Sequence, residues 1–372
     1  MNFIPSREER ELVRRKISEL INLLKKKLEE YGIPYEKIVP GGSTAKDTFL
    51  TGDHDIDIFV ITKYPERVLK VFKEILPNGR RKYGELLIWC GVTDDGFEVD
   101  LVAVNPEYTR RWFTLHHTEI YSKLSESQKT AVRILKALFK SYTCYGAENG
   151  GITGVAIEEL VRRYSSPNDS ERDIVNNVCT IILRHSSPFW LQDPTAEKYG
   201  VKRNLLSSIY LEKWELIQHA CRDWLSNEDF EYVKPTSSRF AFIRESQGWS
   251  TFKLPSLGRG KDYDFQQARS LCLKYCKLVK QYERDLGECE CDAYSDGREV
   301  VVAVKVATEL TPYRKHCIPP TAPEEAKEVF KRRYPNWFID EDGSICTFVP
   351  RRVRRPLEFI KSRVEEEWEE LK

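Results

Sequence analysis

From Ser6 onward the chain has a helical rhythm. Leu12, Ile17, Ile21, Leu24 and Leu28 recur among charged residues, Ser6 with Glu9 has the form of a capping box, and Gly32 and Pro34 end the pattern. A short strand ends at Ile38-Val39, Gly41-Gly42-Ser43 interrupts, and residues 47–51 read as the start of the next element. The β-branched run Ile56 to Ile61, with Phe59 inside it, predicts a buried strand. A helix over 65–75 follows. Leu86 to Val92 and Phe97 to Val104 predict two strands joined by the turn Asp94-Asp95-Gly96. Together these elements predict an α/β unit with a small mixed sheet.

From residue 125 the period becomes helical. Ser125 and Gln128 form a second capping box ahead of Val132, Leu135, Leu138 and Phe139. Gly150-Gly151 breaks the pattern and Gly154 restarts it, with further helices over 171–184 and 205–224. From about 228 to 350, strand-like runs (Phe240 to Ile243, Val300 to Val306, Ile345 to Val349) mix with helices near 262–284 and 322–333. A last acidic helix covers 356–371. The whole predicts an α+β multidomain chain.

At 372 residues the chain has room for two or three domains. No apolar run approaches a membrane span, and no apolar segment follows the N-terminal residues as a secretory signal would require. Ten cysteines are spread thinly, several in apolar periodic segments (Cys179, Cys221, Cys272, Cys276), which predicts reduced thiols in a cytoplasmic protein. The spacings of Cys272, Cys276, Cys289 and Cys291 do not suit a zinc ribbon or finger. Net charge is only +1, yet basic residues cluster at Arg80 to Lys82, Arg110-Arg111, Arg162-Arg163, Lys331 to Arg333 and Arg351 to Arg355. That fits an enzyme that grips a polyanion locally. Any single cluster reads more plainly as a solvated face.

The chemistry concentrates in Gly42-Ser43, Asp55-Ile56-Asp57 and Asp100. Residues two apart on a strand share a face, so Asp55 and Asp57 stand side by side. If the strand holding Asp100 is a neighbour, three carboxylates converge. Such a group is unfavourable unless a hard cation neutralises it. The plainer reading, solvent-facing aspartates on an edge strand, works against stability without a ligand. Asp53 allows the pair Asp53/Asp55, but Asp55/Asp57 flank Ile56 and lead directly into the apolar strand. A glycine turn opening a helix, with the Ser43 hydroxyl and Lys46 one turn on, suits a triphosphate.

With these residues in place the chain resembles the DNA polymerase β-type nucleotidyltransferases, and within them the archaeal-type (class I) CCA-adding enzymes. The likeness continues through Leu115-His116-His117, Arg133 to Lys136, Tyr145-Gly146-Ala147, Gly151 to Gly154 with Glu158, Asp193-Pro194 and Lys202-Arg203-Asn204. It implies a polymerase β-like nucleotidyltransferase head (1–115), a helical second domain (116–227), an α+β third domain that binds RNA (228–350) and a shortened tail reduced to one helix (351–372). It implies a metal-dependent enzyme that adds CCA to the 3′ end of tRNA from CTP and ATP without a template, releasing pyrophosphate. Asp55, Asp57 and Asp100 would be the catalytic, Mg2+-holding residues. Gly42, Ser43, Lys46, His116, Lys136 and Tyr145 would hold the nucleotide, and Arg203 would read its base. Lys331, Arg332, Arg333, Arg351, Arg352, Arg354 and Arg355 would grip the acceptor stem and T arm from the carboxylates' side. A homodimer is compatible with this picture. The alternatives are an oligoadenylate synthase-like or poly(A)-type enzyme, and an inactive RNA-binding protein on the same fold.

Overall fold

The computed structural model describes residues 3–82, 86–109, 114–227, 230–254, 265–296, 299–307 and 309–370. The chain forms two units, Met1–Pro235 and Thr236–Lys372.

In the first unit, Ser6 caps α1 (Arg7–Glu30) by accepting from the Glu9 N–H. The buried stripe of α1 is Val13, Ile17, Leu20, Leu24 and Leu28. Leu12, expected on that stripe, is exposed, because Val13 takes the inward position one residue later. There follow β1 (Lys37–Gly41), α2 (Gly42–Lys46), β2 (Ile56–Ile61), α3 (Pro65–Ile75), β3 (Arg80–Lys82), β4 (Leu87–Val92), β5 (Glu98–Val104), α4 (Pro106–Thr109) and α5 (Thr114–Tyr121). Residues 47–51 start no element. The chain turns there through Asp47, at φ +56.

The strands form one mixed sheet in the order β1-β2-β5-β4-β3, with β2 and β5 parallel and the other neighbours antiparallel. Strand alternation sorts its side chains. Ile56, Ile58, Val60, Val99 and Leu101 pack with α1 and α3 in one core. The other face carries a smaller apolar group, Phe59, Leu86, Val102 and Val104, and, one step along each strand, the carboxylates.

The helices α6 (Glu126–Ser141), α7 (Gly154–Tyr164), α8 (Glu171–Leu183), α9 (Pro194–Glu197) and α10 (Leu211–Ser226) complete this unit. Ser125 and Gln128 make both bonds of the capping box of α6. Residues 205–210, read as helical, lie outside α10, whose first residue is Leu211.

The second unit contains α11 (Ser237–Ser246), β6 (Ser250–Leu254), α12 (Phe265–Gln281), α13 (Glu283–Leu286), β7 (Glu290–Ser295), β8 (Val300–Lys305), β9 (Tyr313–Ile318), α14 (Glu324–Arg333), β10 (Phe338–Ile339), β11 (Ile345–Pro350) and α15 (Pro356–Glu370). Its sheets are β6-β8-β7 and β10-β11-β9. Phe240 to Ile243, expected as a strand, lies within α11, capped by the Thr236 hydroxyl. Periodicity cannot assign so short an apolar run, and the cap decides it. Ile360 and Val364 of α15 pack in the same core as Tyr275, Val300 and Val302.

Cys317 and Cys346 are cross-strand partners joined in a disulfide, which corrects the all-reduced reading for this pair. Cys289 and Cys291 are core thiols. Among the described residues no helix is long and apolar enough to cross a membrane. The Arg110-Arg111 pair lies outside the described residues.

Candidate active site

The parallel pairing of β2 and β5 sets Asp57 directly opposite Asp100. Asp55 precedes β2 by one residue, and Glu98 opens β5 two residues before Asp100. The register thus gathers four carboxylates, one more than the sequence singled out. Burial holds the Asp57 carboxyl up at about 7, reinforced by Asp100 and Asp55 and only partly offset by Lys82 and Lys46. Asp55 is pushed up to about 6, first by lost solvation on its inner side and then by Asp53, Glu98 and Asp100. Lys82 donates to Asp100 Oδ2 at 2.6 Å; burial alone would lower its affinity for a proton, but this bond and the negative charges of Asp100 and Asp57 together raise it. Asp53 turns away to Lys140 of α6, which leaves Asp55 and Asp57 as the pair facing Asp100.

Carboxylates that resist sharing charge, each with open lone pairs, are the donor set of a hard divalent cation, and these residues fit one. Beside them, Gly42 has φ +66, and a Cβ there would overlap Asp57 Oδ2. Only glycine brings the turn so close to the carboxylate. The helix it opens has five residues, so the turn's own N–H groups and the Ser43 hydroxyl, more than any helix dipole, are what α2 offers an anion.

The residues after the turn are locked from behind. Lys46 Nζ is 2.6 Å from Glu158 Oε2 on α7, and Thr48 Oγ1 donates to Glu158 Oε1 at 2.7 Å. Lys136 of α6 donates to Thr48 O at 2.8 Å and to Thr48 Oγ1 at 3.2 Å. Arg133, fully buried, donates to the carbonyl and carboxylate of Asp47. Burial lowers the Lys136 ammonium to about 8, with Glu158 opposing that fall. Glu158 is held below the usual carboxylate range by Lys46 and Lys136 despite its burial. Both lysines expected on the triphosphate therefore have buried protein partners here. Tyr145 is bridged to Ile152 and lies under Lys140, 5.3 Å from its ring centre.

On α5, His116 meets the Tyr199 hydroxyl at 3.2 Å and Glu119 at 3.6 Å. Its neighbour His117 is buried and donates to Asp193 at 3.0 Å. Asp193 also receives the N–H and hydroxyl of Thr195, and Arg203 at 3.2 Å. Against its burial, the bonds from His117 and Thr195 hold its carboxyl down at about 2. Arg203 therefore hangs from a fixed anion with its side chain 44% exposed.

Residues 17–133 match the nucleotidyltransferase domain family. A CCA-adding enzyme of Pyrobaculum aerophilum is 26% identical, over 90% of this chain and 83% of its own length. That of Pyrobaculum islandicum is 32% identical, over 90% of this chain and 82% of its own. The chain belongs to the CCA-adding enzymes. Among solved structures, the Cid1 poly(U) polymerase with MgGTP bound has a TM-score of 0.48 at 14% identity, covering 64% of this chain and 94% of that one.

The chain is thus a nucleotidyltransferase with a polymerase β-like catalytic fold in a multidomain α+β layout, as its sequence led one to expect. The basic residues expected on RNA have mixed surroundings in this CCA-adding enzyme family member. Lys331 pairs with Glu328 at 2.9 Å and lies over Trp337, and Arg333 lies over Tyr334. Arg351 donates to the Asp285 carbonyl at 3.4 Å, Arg354 approaches Glu309 at 3.7 Å, and Arg355 pairs with Glu358 at 3.1 Å. Arg332 and Arg352 are exposed.

Glu98, Lys82, Asp193 and His117 were not singled out as site residues. Glu98 had a visible signal, since it alternates with Asp100 in Phe97-Glu98-Val99-Asp100. The others act through partners 18 or 76 residues away, a relation no local pattern carries.

Proposed function

We propose that this protein adds CCA to the 3′ end of tRNA, using CTP and then ATP and releasing pyrophosphate. The pairing of Asp57 with Asp100, with Asp55 beside them, supports this reading most directly. Asp55, Asp57 and Asp100 would hold Mg2+, which when bound favours ionisation of the attacking 3′-hydroxyl and neutralises the departing pyrophosphate. Ser43 and the backbone of Gly42 orient the triphosphate. Lys46 and Lys136 support that turn through Glu158 and Thr48, so the turn keeps its shape without reorganising at the moment of reaction. His116 and Tyr145 border the nucleotide, and Arg203, fixed on Asp193, reads its base. A guanidinium offers several donors in one plane and so distinguishes C and A from G and U by their acceptor edges.

We assign nucleotide handling to residues 1–227, and the hold on the acceptor stem and T arm to the basic residues of the segment beyond them. The test is incubation with tRNA lacking its CCA end, supplied with each nucleoside triphosphate alone and then with CTP and ATP together. The expected result is addition of C from CTP alone and completion only with both. Use of ATP alone would favour a poly(A)-type enzyme. Binding without any addition would favour a scaffold.

A further inference from the structure

The carboxylates sit in the middle of a row that crosses the whole sheet. The pairings run Gly41 to Asp57, Asp57 to Asp100, Asp100 to Cys90 and Cys90 to Arg80. Directly paired residues share a face, so Arg80 stands on the carboxylate face. The next row on that face is Val39, Phe59, Val102, Ile88 and Lys82. Lys82 thus ends an otherwise apolar row, and its ammonium reaches diagonally back to Asp100 Oδ2 at 2.6 Å. Arg81, between the two, points to the other face and Glu66. The strand that carries them, β3, is the edge of the sheet.

The order of the sheet gives this arrangement a direction. The Gly42-Ser43 turn flanks Asp57 from the β1 side, and the Arg80 and Lys82 cations flank Asp100 from the β3 side. Nucleotidyl transfer brings two phosphate-bearing substrates to the carboxylates: the 3′-hydroxyl of the RNA attacks the α-phosphate of the triphosphate, and pyrophosphate departs in line. One wall is already suited to the triphosphate. We propose that Lys82, with Arg80, is a positioning residue for the other substrate and holds a backbone phosphate at the 3′ end of the RNA. Lys82 also serves as the resident counter-ion of Asp100 when no metal is bound. Where Asp100 helps to hold a divalent cation, Lys82 would give up that carboxylate and turn to the phosphate, which would couple metal occupancy to the grip on RNA. This rests on the nucleotidyl-transfer reading above.

The test uses the full chain and the variants Lys82→Met, Lys82→Arg and Arg80→Gln with Lys82→Met. Mn2+ binding is measured first by electron paramagnetic resonance, without RNA or nucleotide. Lys82→Met is expected to bind Mn2+ several-fold more tightly than the wild type, because the competing ammonium is gone. Unchanged or weaker Mn2+ binding overturns the counter-ion role.

Affinity for a tRNA minihelix lacking CCA is then measured with Mn2+ present, across a salt series. Lys82→Met should weaken it at least about threefold and lower the salt slope by about one. The double variant should weaken it further, and Lys82→Arg should restore it. CTP affinity should not move. A loss of CTP affinity with RNA binding intact would assign these cations to the triphosphate and overturn the proposal. A wild-type chain that does not bind the minihelix would overturn the tRNA reading itself. A wild type that binds alongside a Lys82→Met variant that binds equally well overturns only this inference.

Discussion

Lys46 Nζ lies 2.6 Å from Glu158 Oε2, with the carboxylate wholly out of solvent and 112 residues away in sequence. The same carboxylate takes the Thr48 hydroxyl, and Lys136 approaches its other oxygen at 3.8 Å. One anion therefore fixes the end of α2 to α6 and α7. The distance from Gly42 to the carboxylates depends on it indirectly.

Removing that anion leaves two buried ammonium groups without it. Glu158→Ala should destabilise the protein by about 3–5 kcal/mol in urea unfolding, the range for breaking a buried pair from one side. Replacing Glu158 by Leu and Lys46 by Met together should recover part of the loss. A loss below about 1 kcal/mol for the single change would show that the pair does not hold this junction.

The carboxylates proposed to hold the metal should behave in the opposite sense. Asp57→Asn and Asp100→Asn should each lower kcat by at least about a hundredfold, and Asp57→Asn should raise thermal stability in EDTA. The pH dependence has a definite sign. The folded Asp57 carboxyl titrates at about 7, well above its ordinary 3.8. Its contribution to stability is fully present below about pH 4 and is lost as pH rises through 7, because the folded state holds the proton longer. Melting temperature in EDTA should therefore fall between about pH 4 and 7 more steeply in wild type than in Asp57→Asn. Parallel curves would mean that Asp57 is not the strained group. Residual transfer near wild-type levels in either variant would remove that residue from the metal site.

The five-stranded sheet of the first unit was readable because its signals are local. Alternation placed Asp55 and Asp57 together, and the apolar run of β2 fixed which pair leads the strand. The pairing of β2 with β5 was a condition in that reading, and the structure supplies it as Asp57 opposite Asp100. What stayed hidden depends on tertiary partners. Lys46 and Lys136 look like free cations in the chain, and only the packing of α6 and α7 brings Glu158 to both. Phe240 to Ile243 misled because its hydrophobicity suits strand and helix alike. The Cys317–Cys346 pair, whose partners lie 29 residues apart, follows from the register of β9 with β11 and has no local signature.

Base choice should depend on Asp193 as well as on Arg203. Arg203→Ala should reduce the preference for CTP and ATP over UTP and GTP by at least about tenfold, with a smaller change in triphosphate affinity. Asp193→Asn leaves the Arg203 fork in place but removes the charge that aims it, and should give the same loss in weaker form. Discrimination is read from kcat/KM for each nucleotide. If Arg203→Ala weakens all four nucleotides alike, the base is read elsewhere.

The basic residues near the C-terminus differ in their local partners, and their expected roles differ accordingly. Arg351 donates to the Asp285 carbonyl and Arg355 to Glu358, so these two are engaged within their own unit. Arg351→Gln should lower the melting temperature and leave the salt dependence of RNA binding alone. Arg332 and Arg352 are exposed, and Lys331 and Arg333 lie over aromatic rings at the end of α14. Neutralising Lys331, Arg332, Arg333 and Arg352 together should weaken binding of a tRNA minihelix and flatten its salt dependence. The slope should fall by about 0.7–0.9 for each phosphate that is no longer neutralised. Nucleotide affinity should be unchanged, because a grip on backbone phosphates carries no base information. The opposite pattern, lower stability with the salt slope intact, would mean that these four charges serve the fold and that the RNA is held by another face.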